Sequence, residues 1–472
     1  QRGNLFPSTP TLVEKMPLLR TSENSDQLTL PCPAITDLDR DEHGGAALSG
    51  TWRRALDANC LFRQAVLKRL NAMHSGRLTL VDGSGAYEFG ETGTTSGSSR
   101  PASDPANSLA ATLQVHHRRF YRQVALGGGL GAAESYLRGD WAAHDLTKTM
   151  RLIARKMDVM AEMEHGAARL LRPLRTAANW LRRNTRSGSK RNIAAHYDLS
   201  NDFFKLLLDP TMTYSSGVFP HEAATLEEAS IEKYDRICRK LQLTPQDHVL
   251  EIGTGWGGFT EHAVKNYGCR VTTTTISDEQ HDYAARRFRE SGVTERVTLL
   301  KDDYRDLQGQ FDRVVSIEMI EAVGEAFLPS YFAKCSDLLN PQGIMCLQAI
   351  TIPDHRYDAY RKSVDFIQRY IFPGGFLPSI GAIATCLGQV TDFRLFQSED
   401  FGPHYATTLA HWRRNFWEQI SKVKSLGFDE RFIRTWHYYL CYCEAGFHER
   451  QIGVSQLVLT KPGCRRGPLL IA

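Results

Sequence analysis

Residues 248–259 and 270–280 read HVLEIGTGWGGF and RVTTTTISDEQ. The first opens with an apolar, β-branched run, Val249, Leu250 and Ile252, the pattern of a strand buried on both faces. Gly253, Gly255, Gly257 and Gly258 follow, then a helical segment, then a second strand-like run at 270–276. Strand, glycine turn, helix and strand make a βαβ unit. Glycines in such a turn let the backbone approach a ligand closely, and the helix N-terminus behind them faces it.

The spacing Gly253-x-Gly255-x-x-Gly258 also satisfies the dinucleotide fingerprint, so the glycines alone do not choose the ligand. A dinucleotide site wants an acid about 20 residues on, at the end of the second strand, to hold the ribose. Residues 272–275 are four threonines, and no acid ends that strand. Glu251 lies two residues before the first glycine. Glu-x-Gly-x-Gly is the habit of S-adenosylmethionine sites, where the turn faces an amino acid and a ribose and no pyrophosphate needs neutralising. A methyltransferase is expected rather than a dehydrogenase.

A chain of 472 residues suggests two or three domains with ample core. Hydrophobic content of 42% is that of a soluble globular protein. No apolar run reaches the length of a membrane span, and the amino terminus has no signal-like apolar core. The chain opens on Gln1 and not on Met, as a trimmed or processed chain would. Its ten cysteines form no Cys-x-x-Cys pairs, which argues against zinc and for a reduced, cytoplasmic setting. Net charge is +4, unevenly spread. Residues 169–191, RLLRPLRTAANWLRRNTRSGSKR, carry eight basic residues and no acid, with Leu170, Leu171, Leu174, Ala178 and Leu181 on one helical face. Such a segment suits an anionic membrane surface, or a solvated helix ending in a Ser/Gly linker.

Residues 1–48 read as a mobile lead. A smaller α+β domain is expected at 49–165: a helix at 52–73, paired strands at 77–81 and 87–89, a flexible loop at 92–107, a strand at 109–115, helix interrupted by Gly127-Gly128-Gly129, and more helix from 146 to 171. The basic helix and linker fill 166–191. The domain at 192–472 opens with helix at 193–208 and then offers strands at 248–252, 270–276, 297–300, 311–317 and 343–352, alternating with helices. That is an α/β, doubly wound, Rossmann-like methyltransferase sheet. A strand at 454–460 is expected as an antiparallel edge. An aromatic-rich insertion at 353–447 would stand over the carboxyl ends of the strands, where ligands bind.

Seven segments are long enough to carry a resemblance: HYDLSNDFF (196–204), LDPTMTYSSGVF (208–219), LEIGTGWGGF (250–259), TISDEQ (275–280), FDRVVSIEMIEAVG (311–324), DFIQRYIFPGGFLPS (365–379) and YYLCYCEAGF (438–447). In order and spacing the chain resembles the cyclopropane-fatty-acyl-phospholipid synthase and mycolic acid cyclopropane synthase family. Residues 50–165 are similar, less sharply, to the amino-terminal domain of the longer bacterial synthases. The resemblance implies transfer of a methylene unit from S-adenosylmethionine to the cis double bond of an unsaturated phospholipid acyl chain. It implies a cofactor lying against Gly253, Gly255 and Gly258, with Thr275 and Gln280 at its amino-acid or ribose end. Tyr214 and Ser215 would cover it, and Asp303 and Tyr304 would meet the adenine. It further implies a bound bicarbonate as base, held by Glu321, Tyr370, Gln348 and the backbone around Ser216 and Ile350. Cys443 matches a cysteine sometimes regarded as catalytic; its apolar neighbours favour a pocket-lining role. Many members carry Cys at 216 and His at 348, where this chain has Ser and Gln; an amide hydrogen-bonds an anion without carrying its proton.

The implied chemistry passes through a carbocation, which needs aromatic faces, a placed base and exclusion of water. The same cation could end in a methyl-branched or methylene product; a small soluble acceptor, or lipid binding without catalysis, are the other readings. Expected partners are an anionic phospholipid bilayer and the lipid substrate, with a homodimer as the one candidate protein partner and no nucleic acid. The expected location is cytoplasmic, peripheral on the inner face of the membrane.

Overall fold

The computed structural model describes residues 50–73, 76–90, 109–155 and 200–468, all within one compact unit, Ala46–Ala472. The expected lead, the loop at 92–107, the basic segment and the Ser/Gly linker lie outside the described residues.

The amino-terminal portion starts with α1 (Gly50–Leu70). β1 (Arg77–Asp82) and β2 (Gly85–Gly90) pair antiparallel about a turn in which Asp82 accepts from the Ser84 N–H at 2.8 Å. β3 (Ala110–Val115) alternates exposed and buried residues, as a half-buried strand should, and pairs parallel to β1. α2 (Arg119–Leu137) breaks where its glycines were expected to break it: Gly128 sits at φ 57°, ψ −138°. β4 (Trp141–Ala143) closes a four-stranded sheet, order β2-β1-β3-β4, and α3 (Leu146–Ala154) packs on it, capped by Asp145.

The larger portion begins with α4 (Asn201–Leu207) and α5 (Leu226–Leu241), the latter opened by a capping box between Thr225 and Glu228. β5 (His248–Ile252), α6 (Gly258–Tyr267), β6 (Arg270–Thr274), α7 (Asp278–Glu290) and β7 (Val297–Leu300) alternate as expected, whereas β7 passes to β8 (Phe311–Ile317) through a single 3-10 turn at Tyr304–Asp306 in place of a helix. α8 (Leu328–Asp337) leads to β9 (Leu339–Thr351). Then come α9 (Asp354–Tyr360), a π-turn at Ile367–Ile371, α10 (Ile380–Val390), β10 (Arg394–Asp400), α11 (Gly402–Glu418), α12 (Ile420–Ser425), α13 (Glu430–His448) and β11 (Gly453–Thr460).

The sheet runs β10-β11-β9-β8-β5-β6-β7. β11 runs antiparallel to both its neighbours, and the other pairings are parallel. Two expectations change. β11 is not an edge: β10 lies outside it, so the stretch at 353–447 contributes a sheet strand as well as the helices over the crest. β10 escaped notice because most of its residues are only partly buried, which leaves a weak alternation. The strand order reverses between β5 and β8, and a ligand in an open α/β sheet binds outside that point.

Candidate active site

The turn after β5 is built on positive φ at Gly253 (104°), Gly255 (53°) and Gly257 (86°), conformations that side chains resist. The N–H groups of Gly253 and Thr254 donate to the Thr274 carbonyl at 3.1 and 3.0 Å, folding the turn onto β6. Glu251 lies beneath. Its Oε2 accepts from the hydroxyls of Thr260 on α6 (2.6 Å) and Thr273 on β6 (2.5 Å), so one buried carboxyl ties strand, helix and neighbouring strand together. Burial raises Glu251 to about 7, against the two threonine bonds and Lys233.

A folded-state value above the unfolded 4.5 means the native state holds the proton more tightly. The associated stability is present below that unfolded value and is lost as pH rises toward about 7. Glu251→Gln should flatten this dependence, removing on the order of 3 kcal/mol of pH-linked change. Chemical unfolding of the ligand-free protein across that pH window checks it; an unaltered slope would place the titration elsewhere.

All nine residues expected to meet the cofactor line one cavity of about 990 Å³: Tyr214, Ser215, Gly253, Gly255, Gly258, Thr275, Gln280, Asp303 and Tyr304. Thr275 Oγ1 donates to Gln280 Oε1 at 2.9 Å, and Ser277 caps α7 beside them. Asp303 is gripped by Arg305, with bonds of 2.8 and 2.6 Å. The Tyr214 ring stacks on Trp412 with centroids 5.1 Å apart, and its hydroxyl bonds that of Tyr439 at 3.0 Å. Ser215 Oγ accepts from the buried Lys233 at 2.6 Å.

The remaining expected residues divide. Glu321, Ile350 and Cys443 line the same cavity. Glu321 is half-buried. Its Oε1 accepts from the Ile350 N–H at 2.5 Å, and its buried Oε2 meets no partner among the described residues. Burial first, and the neighbouring Glu318 second, raise it to about 8. Ser216 and Gln348 are fully buried behind the wall. Tyr370, on the π-turn, does not line the cavity and donates to Glu134 of α2 at 3.0 Å.

Glu318, one residue past β8, is the group that sequence reasoning missed. It takes the left-handed φ of 48°, which a non-glycine side chain seldom adopts and which clusters at functional sites. Its Oε1 accepts from the Ser216 N–H at 2.9 Å and from Gln348 Nε2 at 2.7 Å; its Oε2 accepts from the Tyr405 hydroxyl at 2.8 Å. Burial raises its pKa, while these three donors and Lys233 pull toward the ionised form. Fewer side-chain donors meet Glu321, and burial raises it to about 8, so it is the better place for the proton that the pair keeps. The signal was present as a second acid in SIEMIEAVG, three residues before Glu321 and at the strand end where ligands bind.

The residues do not fit a bicarbonate. The Ser216 N–H and the Gln348 amide, two of the groups implied to hold it, donate to Glu318, and the Ile350 N–H donates to Glu321. A further anion there would face two carboxyls with those donors already engaged.

Phe366, Phe372, Phe376, Tyr438 and Tyr439 line the cavity as an acyl tunnel would require, whereas Trp412, Phe416 and Trp436 do not line it and belong to the core. Burial pushes the Cys443 thiol up, which disfavours the thiolate a nucleophile needs. Cys443→Ala should keep turnover within a few-fold; a loss beyond about a hundredfold would make the sulfur catalytic.

A glycine turn over β5, a topological switch point and an aromatic-walled cavity make the frame of an α/β nucleoside-binding enzyme with an apolar substrate space, and the comparisons make it an S-adenosylmethionine-dependent methyltransferase of the lipid-modifying kind. The chain belongs to the mycolic acid cyclopropane synthetase family, whose model matches residues 184–457. It is 40% identical over 372 residues to the tuberculostearic acid methyltransferase of Mycobacterium tuberculosis, covering 77% of this chain and 86% of that protein. It is 36% identical over 360 residues to the cyclopropane-fatty-acyl-phospholipid synthase of Escherichia coli, covering 75% and 89%. Among solved structures, the mycolic acid cyclopropane synthase CmaA1 complexed with SAH and CTAB is 32% identical with a TM-score of 0.54, covering 58% of this chain and 98% of that one. Among the described residues no helix is long and apolar enough to cross a membrane.

Proposed function

We propose that the chain transfers a methylene unit from S-adenosylmethionine to the cis double bond of unsaturated phospholipid acyl chains, giving cyclopropane chains through a carbocation. The alkene π pair forms the new bond to the methyl carbon as the carbon–sulfur bond breaks, and sulfur keeps the bonding pair of the broken carbon–sulfur bond as a neutral thioether. A base then takes a proton from the new methyl, and the freed C–H pair closes the ring on the cationic carbon. The observation that carries this reading is the Glu318–Glu321 pair, two half-buried side chains that share one aromatic-lined cavity with the glycine turn. Glu318 is the base on this reading; Ser216, Gln348 and Tyr405 orient it, and the tyrosine and phenylalanine faces shield the cation from water.

A second reading keeps the cation and ends in a methyl-branched or methylene chain. The similarity to a tuberculostearic acid methyltransferase favours it. Expression in a host lacking its own synthase, followed by lipid mass spectrometry, separates the two. A gain of one CH2 that resists hydrogenation marks a ring; the same gain with a surviving double bond marks a methylene. Unchanged lipids with turnover on a soluble amine or hydroxyl acceptor would overturn both.

The basic stretch at 169–191 supports peripheral docking on an anionic bilayer at the cytoplasmic face. Each basic residue near such a surface contributes about 1 kcal/mol. Arg182→Glu with Arg183→Glu should therefore weaken binding to anionic vesicles by at least tenfold in sedimentation, and unaltered binding would remove the anchoring role.

A further inference from the structure

The cavity does not end at the catalytic sheet. It continues among Leu70, Met73, Val124, Leu130, Met150 and Ile153, which belong to α1, its trailing turn, α2 and α3 of the amino-terminal portion. The solved synthase that matches this chain is nearly all accounted for by 58% of it, and the family model begins only at residue 184, so neither assigns these residues a role. Arg69 is the one ionisable side chain among the described amino-terminal residues on this wall; the rest are apolar or glycine.

α2 is shaped around this space. Its break at Gly128 interrupts a helix, and a Cβ built on Gly129 would meet no atom of the described residues within 4 Å. Glycine inside a helix costs roughly 1 kcal/mol relative to alanine, so a glycine run here sacrifices helix stability and leaves open volume. An apolar void forfeits the dispersion contacts its lining would make when filled. The amino-terminal portion is firmly attached: Arg434 of α13 donates to the carbonyls of Tyr136 (2.7 Å) and Trp141 (3.1 Å), and Arg151 and Arg155 bind Glu449 at 2.6 and 2.7 Å.

We propose that the amino-terminal portion is the far half of the acyl channel, receiving the methyl-terminal segment of the substrate chain beyond the reacting double bond. A polar headgroup stays in water, and an apolar compartment continuous with the catalytic cavity suits the uncharged end. The proposal rests on the reading of the substrate as an unsaturated acyl chain, and it makes α2 a gauge of chain length past the double bond.

Gly129→Leu, with Leu130→Trp as a second variant should the first fail to fold, narrows this compartment at a distance from the carboxyl pair. The purified full chain is given S-adenosylmethionine and phosphatidylglycerol vesicles bearing palmitoleoyl, cis-vaccenoyl or oleoyl chains. The first two have equal lengths beyond the double bond, and the oleoyl chain is longer there. The preference for palmitoleoyl over oleoyl should rise about tenfold or more, the order of discrimination a methylene or two gives in an apolar pocket, with cis-vaccenoyl following palmitoleoyl. Unchanged ratios, a uniform loss on all three, or discrimination that separates cis-vaccenoyl from the other two would overturn the proposal. No product from the unaltered chain on any vesicle would instead overturn the acyl-chain reading beneath it.

Discussion

Glu318→Gln should lower turnover by about a hundred- to ten-thousandfold while S-adenosylhomocysteine still binds. The amide keeps the shape of the carboxyl but cannot accept a proton. It also meets the Ser216 N–H, the Gln348 amide and the Tyr405 hydroxyl, three groups that all donate to the wild-type oxygens. The site therefore stays filled while the base is lost. Calorimetric titration with S-adenosylhomocysteine and single-turnover chemistry measure the two properties separately. Near-normal turnover would exclude Glu318 as base.

The pH dependence carries a sign. Burial raises both carboxyls, Glu321 to about 8, and the pair must hold one negative charge for Glu318 to work. Turnover in the wild type should fall as pH is lowered through the titration of that pair, and Glu318→Gln should lack the limb. Stripping bicarbonate from the assay should leave the wild-type rate unaltered, because the donors implied to hold it are engaged by protein carboxyls. A rate restored by added bicarbonate would count against the resident base.

The βαβ unit was readable because its apolar run, glycines and second strand are local. The periodicity of β5 and β6 fixes their burial, and the glycine spacing fixes the turn. The nine residues that the family resemblance implied for the cofactor were found through its motifs, and all of them line one cavity. Glu318 was less legible. Two acids three residues apart look equivalent in sequence, and only the left-handed backbone at Glu318 turns its carboxyl onto Ser216 and Gln348. Tyr370 illustrates a different limit. Its partner Glu134 is 236 residues away, and no local pattern records a contact between residues so distant in sequence. The far half of the cavity was hidden for a related reason: apolar periodicity identifies a packing face but does not distinguish a filled face from one left open around a broken helix.

Gly258→Val tests whether the turn is a fitted cradle or merely a flexible connection. Gly258 begins α6, and a Cβ there would stand 2.6 Å from the Tyr234 hydroxyl and 3.0 Å from the Thr211 carbonyl oxygen. Neither can yield easily. Tyr234 is hydrogen-bonded to Thr213, and the Thr211 carbonyl accepts from Arg287 at 2.7 Å. The helix start must move instead, by an ångström or so, carrying Gly255 and Gly257 away from the ligand. Displacements of that size cost about a hundredfold in a positioned site, and overpacking costs about 1–3 kcal/mol of stability. Affinity for S-adenosylhomocysteine should fall by roughly that factor, with a lowered melting temperature. Gly255→Ala separates the two effects. A Cβ at 255 meets no atom of the described residues within 4 Å, so its cost is the positive φ together with intrusion into the ligand's space. Its affinity should drop with less loss of stability than Gly258→Val shows. Equal affinities for both variants and the wild type would mean that the nucleoside does not lie against this turn.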